Sequence, residues 1–362
     1  MGHSNLCGGC TYTRLFCIGI PLVIISGLFI AFVSFVLYSF QIFKPVAPTH
    51  TDIGCDYLHG IEQRKPLAAY VKNRSTTNSS FPLEAKCWDL RKRRYLPMDV
   101  PEFLLVRHYI MFFRHVTRNY EYTETAITMM FSPLHFYCIT LDKNSTESFQ
   151  SKIRHLGSCI YNIIVPDEEF DGNDPRDYFR AQQTCFNLLA QYPWEHAVIT
   201  QEEEVAAQST QAIGKKAEAL GMTSVIGNTE IHLFPNATDQ LDINRPKVHN
   251  AYTRWINDRA LPIILSRAAQ PLIYDYLMSN GTIEEIAAEA KPPDMSQNCK
   301  TNHKDRFGNC IMGMENINEA TQWPTFFVRA DPTFDYGFVQ CVHEAVFRKT
   351  YRDVLPANEL RH

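Results

Sequence analysis

Apolar runs and amphipathic stretches alternate through the middle of the chain. Residues 135–142 read His-Phe-Tyr-Cys-Ile-Thr-Leu-Asp, and β-branched, aromatic and aliphatic residues without polar alternation fit a strand covered on both faces. Pro133 punctuates its start, and Asp142-Lys143-Asn144-Ser145 breaks the pattern after it. Further strands are expected at 103–106, 109–113, 161–165, 196–200 and 223–226. Helical periodicity falls between them, at 122–131, 146–156, 174–191 and 203–220. Asn173, Asp174 and Pro175 supply cap and first-turn chemistry for the third of these, whose apolar face carries Tyr178, Ala181, Cys185, Leu188 and Tyr192. Strands alternating with helices predict an α/β fold with a largely parallel sheet covered on both faces.

In such a sheet ligands sit outside the carboxyl ends of the strands. Asp142 lies at one such end, where it either caps the following turn or grips a ligand. Glu202-Glu203-Glu204 follows the strand expected at 196–200, at the same edge. Three adjacent carboxylates suit the first turn of a helix; the alternative is that one of them, Glu204 foremost, faces a substrate hydroxyl or serves as a base.

From residue 15 to residue 43 there is no Asp, Glu, Lys, Arg or His, longer than the roughly 20 apolar residues a membrane-crossing helix needs. The expected organisation is a cytoplasmic tail at 1–14, a transmembrane signal anchor at 15–43, a stem at 44–100 and a lumenal body at 101–362. The flanking charges orient the span only weakly. Five glycosylation acceptors, Asn73, Asn78, Asn144, Asn236 and Asn280, all follow it and favour a lumenal body. Of 11 cysteines, Cys7, Cys10 and Cys17 lie in or before the span, leaving an even eight beyond it for disulfides in an oxidising compartment. Cys7-Gly8-Gly9-Cys10 has metal-pair spacing without a second pair, and juxtamembrane S-acylation is the preferred functional reading.

Composition is that of a globular protein, 45% hydrophobic and 20% charged, and a net charge of -4 gives no reason to expect nucleic acid. The basic run Arg91 to Arg94 reads as a solvated loop. No Asp-x-Asp occurs, the motif with which many sugar-nucleotide enzymes hold a divalent ion; Glu169-Phe170-Asp171 is the nearest approach. A bound diphosphate would then need cationic side chains, for which Arg329, Arg348, Lys349 and Arg352 are available. His343-Glu344 lacks a second histidine at ligand spacing, and the nucleotide-binding glycine motifs and the hydrolase elbow are missing from the sequence.

Two stretches resemble the core-2/I-branching family of β-1,6-N-acetylglucosaminyltransferases. The first runs from Arg114 through Asn119-Tyr120, Glu124 and Ser132-Pro133 to the Tyr137-Cys138-Ile139-Thr140-Leu141-Asp142 strand and Ser158-Cys159-Ile160-Tyr161-Asn162-Ile163. The second runs from Cys299-Lys300 through Cys310-Ile311-Met312-Gly313 to Phe334-Asp335-Tyr336-Gly337, Cys341, His343-Glu344 and Phe347; Ser266-Arg267-Ala268-Ala269 matches a family helix start. The resemblance implies a single-pass type II Golgi membrane enzyme of the Rossmann-like GT-A fold. It would move N-acetylglucosamine, or xylose as in related members, from a UDP-sugar to a glycan or glycoprotein acceptor, inverting and without a metal or cofactor. Carried over by position, Asp142 would lie at the nucleotide with Val116, Thr117 and Arg118, and Arg329 would take the place of a diphosphate-binding Lys. The implied disulfides are Cys55 to Cys341, Cys87 to Cys159, Cys138 to Cys185 and Cys299 to Cys310. Between Ala288 and Cys299 the chain lacks the family segment that carries an Asp-Glu pair, whose Glu is the base. Glu284 and Glu285 lie near the gap without matching it. The sequence therefore leaves a rival open: a catalytically silent, glycosyltransferase-like binding or scaffolding module.

Overall fold

The computed structural model describes residues 24–35, 55, 64–76, 86–98, 107–226, 229–232, 238–258, 263–279, 281–289, 299–305, 308–322 and 326–352. The chain divides into a unit Met1–Lys44 and a unit Pro45–His362. In the first, residues 24–35 are helical, with Ile25, Leu28, Phe29, Phe32 and Phe35 exposed. Among the described residues no helix is long and apolar enough to cross a membrane; the remainder of the expected span lies outside them.

In the second unit, helices α1 (Arg64–Lys72) and α2 (Cys87–Arg94) precede the sheet. There follow β1 (Ile110–Val116), α3 (Tyr120–Met129), β2 (Phe136–Asp142), α4 (Glu147–Cys159), β3 (Ile163–Ile164), β4 (Glu169–Phe170), α5 (Pro175–Leu189) and β5 (His196–Thr200). Next come β6 (Glu204–Ala206), α6 (Thr210–Leu220), β7 (Thr223–Ile226), β8 (Thr229–His232), α7 (Thr238–Asp258), β9 (Ile263–Ser266), α8 (Gln270–Met278) and α9 (Thr282–Glu289). The last described elements are a 3-10 turn (Met314–Asn316), α10 (Ile317–Gln322), β10 (Phe327–Arg329) and α11 (Tyr336–Thr350).

The main sheet has the order β3-β2-β1-β5-β9-β7-β8, with β4 also paired to β2. Strands β1, β2, β3, β4 and β5 are mutually parallel, so their carboxyl ends share one edge. The fold is thus mixed α/β with a mostly parallel centre. The other half, β9, β7 and β8, pairs antiparallel; only two residues separate β7 from β8, and strands linked so tightly can form only a hairpin.

Alternation along the central strands divides the core in two. Phe112, Tyr137, Ile139 and Val198 enter the layer shared with α3 and α11. Met111, Phe113, Cys138, Ala197 and Ile199 enter the layer shared with α5, α7 and α8. The apolar face of α5 is Tyr178, Ala181, Cys185 and Leu189; Leu188, expected there, is 42% exposed, because the true stripe falls one residue later.

Two expected elements are corrected. The helix read over 203–220 begins only at Thr210, where the Ser209 hydroxyl accepts from the Ala212 amide at 3.2 Å. Residues 204–206 instead pair as β6 with β10, Val205 opposite Val328. The basic run Arg91 to Arg94 is helix α2 rather than a loop, and Arg93 and Arg94 grip the buried Glu124 carboxylate at 2.7 and 2.6 Å. The expected strand 103–106 lies outside the described residues.

Disulfides join Cys55 to Cys341, Cys87 to Cys159, Cys138 to Cys185 and Cys299 to Cys310, the four pairs the resemblance implied. Part of the expected stem also packs on the body. Asp335, from the Phe-Asp-Tyr-Gly block, caps α11 by accepting from the Phe338 amide at 2.9 Å. It also accepts from the Tyr70 hydroxyl at 2.7 Å and the Met314 amide at 2.9 Å, and ion-pairs with Arg74. That block is therefore a structural joint: its carboxylate collects four donors and holds residues 70–74 down.

Candidate functional site

Outside the carboxyl ends of β1, β2 and β5 lies a cavity of about 360 Å³ lined by Thr117, Arg118, Asp142, Asn144, Ser145, Asn173, Glu202 and Glu203. Its size falls at the lower end of the range of roughly 300 to 1,000 Å³ usual for small-molecule sites. The parallel register fixes its position, since His115 and Val116 stand opposite Thr140 and Leu141, and the loops after the strands converge.

Asp142 both caps and lines. One oxygen accepts from the Asn144 amide at 2.8 Å, closing the turn after β2. The other accepts from the Gly172 amide at 3.0 Å and lies 3.2 Å from His115 Nε2. Burial raises its pKa, but the two amides and His115 outweigh that, leaving the carboxyl below the ordinary carboxylate value. Thr117 and Arg118 are at the cavity wall as expected, whereas Val116 is fully buried beneath it.

The acidic turn resolves into three different side chains. Glu202 accepts from the Thr117 amide (2.9 Å), the Thr117 hydroxyl (2.5 Å) and the Arg118 amide (3.0 Å), stitching the β1 loop to the β5 loop. Burial nevertheless pushes its carboxyl above the ordinary value. Glu204, the sequence-based candidate for a base, is buried at 1% exposure and does not line the cavity. It accepts from the Gln201 amide at 2.8 Å and lies 3.8 Å from Arg329, and burial again raises its pKa. Glu203 is the one of the three whose carboxylate takes no hydrogen bond or ion pair from the described residues; it faces the cavity.

Arg329 is likewise drawn inward. It sits on β10 at 5% exposure, ion-paired with Asp305 and close to Glu204, and is not among the cavity-lining residues. Of the other cations named from sequence, Arg348 pairs with Glu344, Lys349 donates to backbone carbonyls, among them that of Ala207, and Arg352 is exposed and not among the cavity-lining residues, so Arg118 is the basic residue at the cavity. Glu169 pairs with Arg154 and Asp171 with Lys143, so the near-match to a metal motif serves loop structure. Among the described residues, the side chains close enough to share an ion are Cys87, His155 and Cys159, and both sulfurs are consumed in a disulfide.

Sequence reading gave Ser145 and Asn173 only as turn and cap residues, and did not name them, His115 or Gly172 as part of a site. The period-2 register would have given His115 as the residue beside Thr140; Gly172 carries no signal until its neighbours are known. A Cβ at Gly172 would stand 2.6 Å from His115 Nε2 and 3.2 Å from Asp142 Oδ2.

Residues 110–238 match the family model described as "Core-2/I-Branching enzyme", and all eight cavity-lining residues fall within them. The chain is also 23% identical, over 167 residues, to the β-1,3-galactosyl-O-glycosyl-glycoprotein β-1,6-N-acetylglucosaminyltransferase 3 of Rattus norvegicus, an alignment covering 42% of this chain and 38% of the relative. The chain thus spans well under half the length of the curated relative it matches. The carboxyl edge of the parallel strands and the cavity thus lie within the part of the chain, residues 110–238, that is similar to the Core-2/I-branching enzyme family.

Proposed function

We propose that this protein is a Golgi glycosyltransferase that moves N-acetylglucosamine, or a related sugar such as xylose, from a UDP-sugar onto a glycan or glycoprotein acceptor. The observation that carries this reading is the cavity at the carboxyl edge of the parallel strands, inside the family-matched region. The uracil and ribose would lie against Thr117, Asp142 and Asn144, and Arg118 would meet the diphosphate. The matched relative's name supports N-acetylglucosamine as the sugar and an O-glycosylated glycoprotein as the acceptor. A GT-A-type fold, inversion at the anomeric carbon, independence of metal and a type II membrane anchor over 15–43 complete the reading; the exposed apolar helix at 24–35 supports the anchor. UDP-sugars and folding with disulfides both suit a lumenal compartment.

The rival, a silent module with a glycosyltransferase fold, is favoured by one observation: only ten residues separate Ala288 from Cys299, where the family segment bearing the base would lie. Calorimetry with UDP and transfer assays with UDP-N-acetylglucosamine and UDP-xylose on the detergent-extracted full chain distinguish them. Transfer onto an O-glycosylated peptide is the expected result. UDP binding with no transfer from either donor would eliminate the enzyme reading.

A further inference from the structure

We infer that Glu203 is the general base of the transfer, replacing the carboxylate that the short 288–299 link lacks; this rests on the transferase reading above. The cavity is continued by a smaller depression of about 20 Å³, lined in part by Arg118, Tyr122, Glu203, Asp331 and Thr333. Glu202, Glu203 and Arg118 line both. A base must stand between donor and acceptor with a free lone pair to take the acceptor proton. Four carboxylates line the two depressions, and three are already engaged. Asp142 accepts from the Gly172 and Asn144 amides, Glu202 from the Thr117 and Arg118 loop, and Asp331 from the Thr333 amide at 2.7 Å and hydroxyl at 2.6 Å. Of the four, Glu203 is the one whose carboxylate takes no hydrogen bond or ion pair from the described residues on either oxygen.

Its backbone is held as firmly as its carboxylate is free. The Glu203 carbonyl accepts from the Ala330 amide at 2.8 Å. The carbonyls on either side, of Glu202 and Glu204, both accept from the Arg114 guanidinium. Three consecutive carbonyls are thus pinned by Arg114 on β1 and by Ala330, the residue after β10, so the side chain projects from a rigid turn, as positioning for proton transfer requires.

In the step itself the acceptor hydroxyl gives its proton to the Glu203 carboxylate, and its oxygen pair forms the bond to the anomeric carbon. The bond from that carbon to the β-phosphate oxygen breaks, its electron pair leaving on UDP.

The test compares the full-length protein with Glu203→Gln and Glu203→Asp, measuring UDP affinity by calorimetry and transfer from UDP-N-acetylglucosamine to an O-glycosylated peptide across pH. Glu203→Gln is expected to bind UDP within about threefold of wild type while losing transfer by about 10² to 10⁴-fold, the usual contribution of a positioned base. It should also lose the acidic limb of the kcat/KM profile, and Glu203→Asp should restore part of both. Wild-type transfer matched by Glu203→Gln would overturn this assignment alone. UDP binding without transfer by wild type would overturn it together with the transferase reading.

Discussion

The amide of Gly172 donates to Oδ2 of Asp142 at 3.0 Å, and no side chain larger than hydrogen fits at that glycine. The β4–α5 loop therefore closes directly onto the carboxylate that ends β2. Gly172→Ala would place a methyl 2.6 Å from His115 Nε2, forcing the loop or the imidazole away. Overpacking of this kind costs about 1 to 3 kcal/mol. The expected outcome is a lower midpoint in urea unfolding together with weaker UDP binding in calorimetry. Unchanged affinity would mean that the loop can retreat without disturbing Asp142.

Glu124 gives a pH dependence with a definite sign. Its burial raises the pKa, but the Arg93 and Arg94 guanidiniums outweigh burial and hold it below its ordinary value of 4.5. The folded state therefore binds fewer protons than the unfolded chain in that range. Its stabilisation is full above pH 4.5 and is lost as the pH falls through the depressed value. Glu124→Gln should cost about 1 to 3 kcal/mol near neutrality and flatten the acid limb of stability against pH. Equal acid limbs in chemical unfolding of the two proteins would rule this out.

How much of this was legible beforehand depended on the range of each interaction. Strands β2 and β5 announced themselves by local apolar runs, and Asp142 by its place at a strand end. The acidic turn did not, because three adjacent glutamates are equivalent until long-range partners distinguish them. Glu202 is defined by Thr117, 85 positions away, and Glu204 by its neighbour Arg329 on β10. The same distance effect turned Arg93 and Arg94 from apparent surface charges into clamps on a buried carboxylate.

Asn144 is at once an acceptor sequon and a wall of the cavity. Its side chain is exposed, while its amide is tied to Asp142. A glycan there would stand at the mouth of the proposed donor site. Asn73, also exposed, is not among the cavity-lining residues and serves as an internal control. In the full chain expressed in a eukaryotic host and extracted with detergent, the fraction retained on immobilised UDP should carry no glycan at Asn144, with Asn73 occupancy equal in retained and unretained fractions. Peptide mapping by mass spectrometry reads both sites; retained protein glycosylated at Asn144 would refute the exclusion.

Cys138 and Cys185 tie the central strand β2 to α5, and with them the two walls of one core layer. Loss of a native disulfide of this kind costs about 2 to 5 kcal/mol. The double variant Cys138→Ser/Cys185→Ser should unfold at lower urea yet leave Asp142 and its turn in place, since none of their hydrogen bonds involves the sulfurs. UDP affinity measured well below the unfolding transition should therefore be retained. A loss of affinity in protein still folded by circular dichroism would show that the bridge also positions the β2 end.

Arg114 is the buried cation on which the acidic turn hangs. It is 2% exposed, donates to the Glu204 carbonyl at 2.7 Å and to that of Glu202, and lies 5.8 Å from the centre of the Tyr122 ring. A guanidinium can reach two carbonyls at once because its donors diverge in one plane; an ammonium on a flexible stem concentrates its donors at a point. Arg114→Lys keeps the charge but cannot hold both carbonyls in the same geometry, and the turn bearing Glu202 and Glu203 should loosen. A displacement of about 1 Å at a reacting group can cost about 10²-fold in rate, whereas Asp142, proposed to meet the nucleotide, ends a different strand, β2. Transfer should therefore fall by about 10²-fold while UDP affinity changes by less than tenfold. Steady-state kinetics beside calorimetry on the same preparation separates the two, and equal losses in both would place Arg114 in general folding rather than in support of the turn.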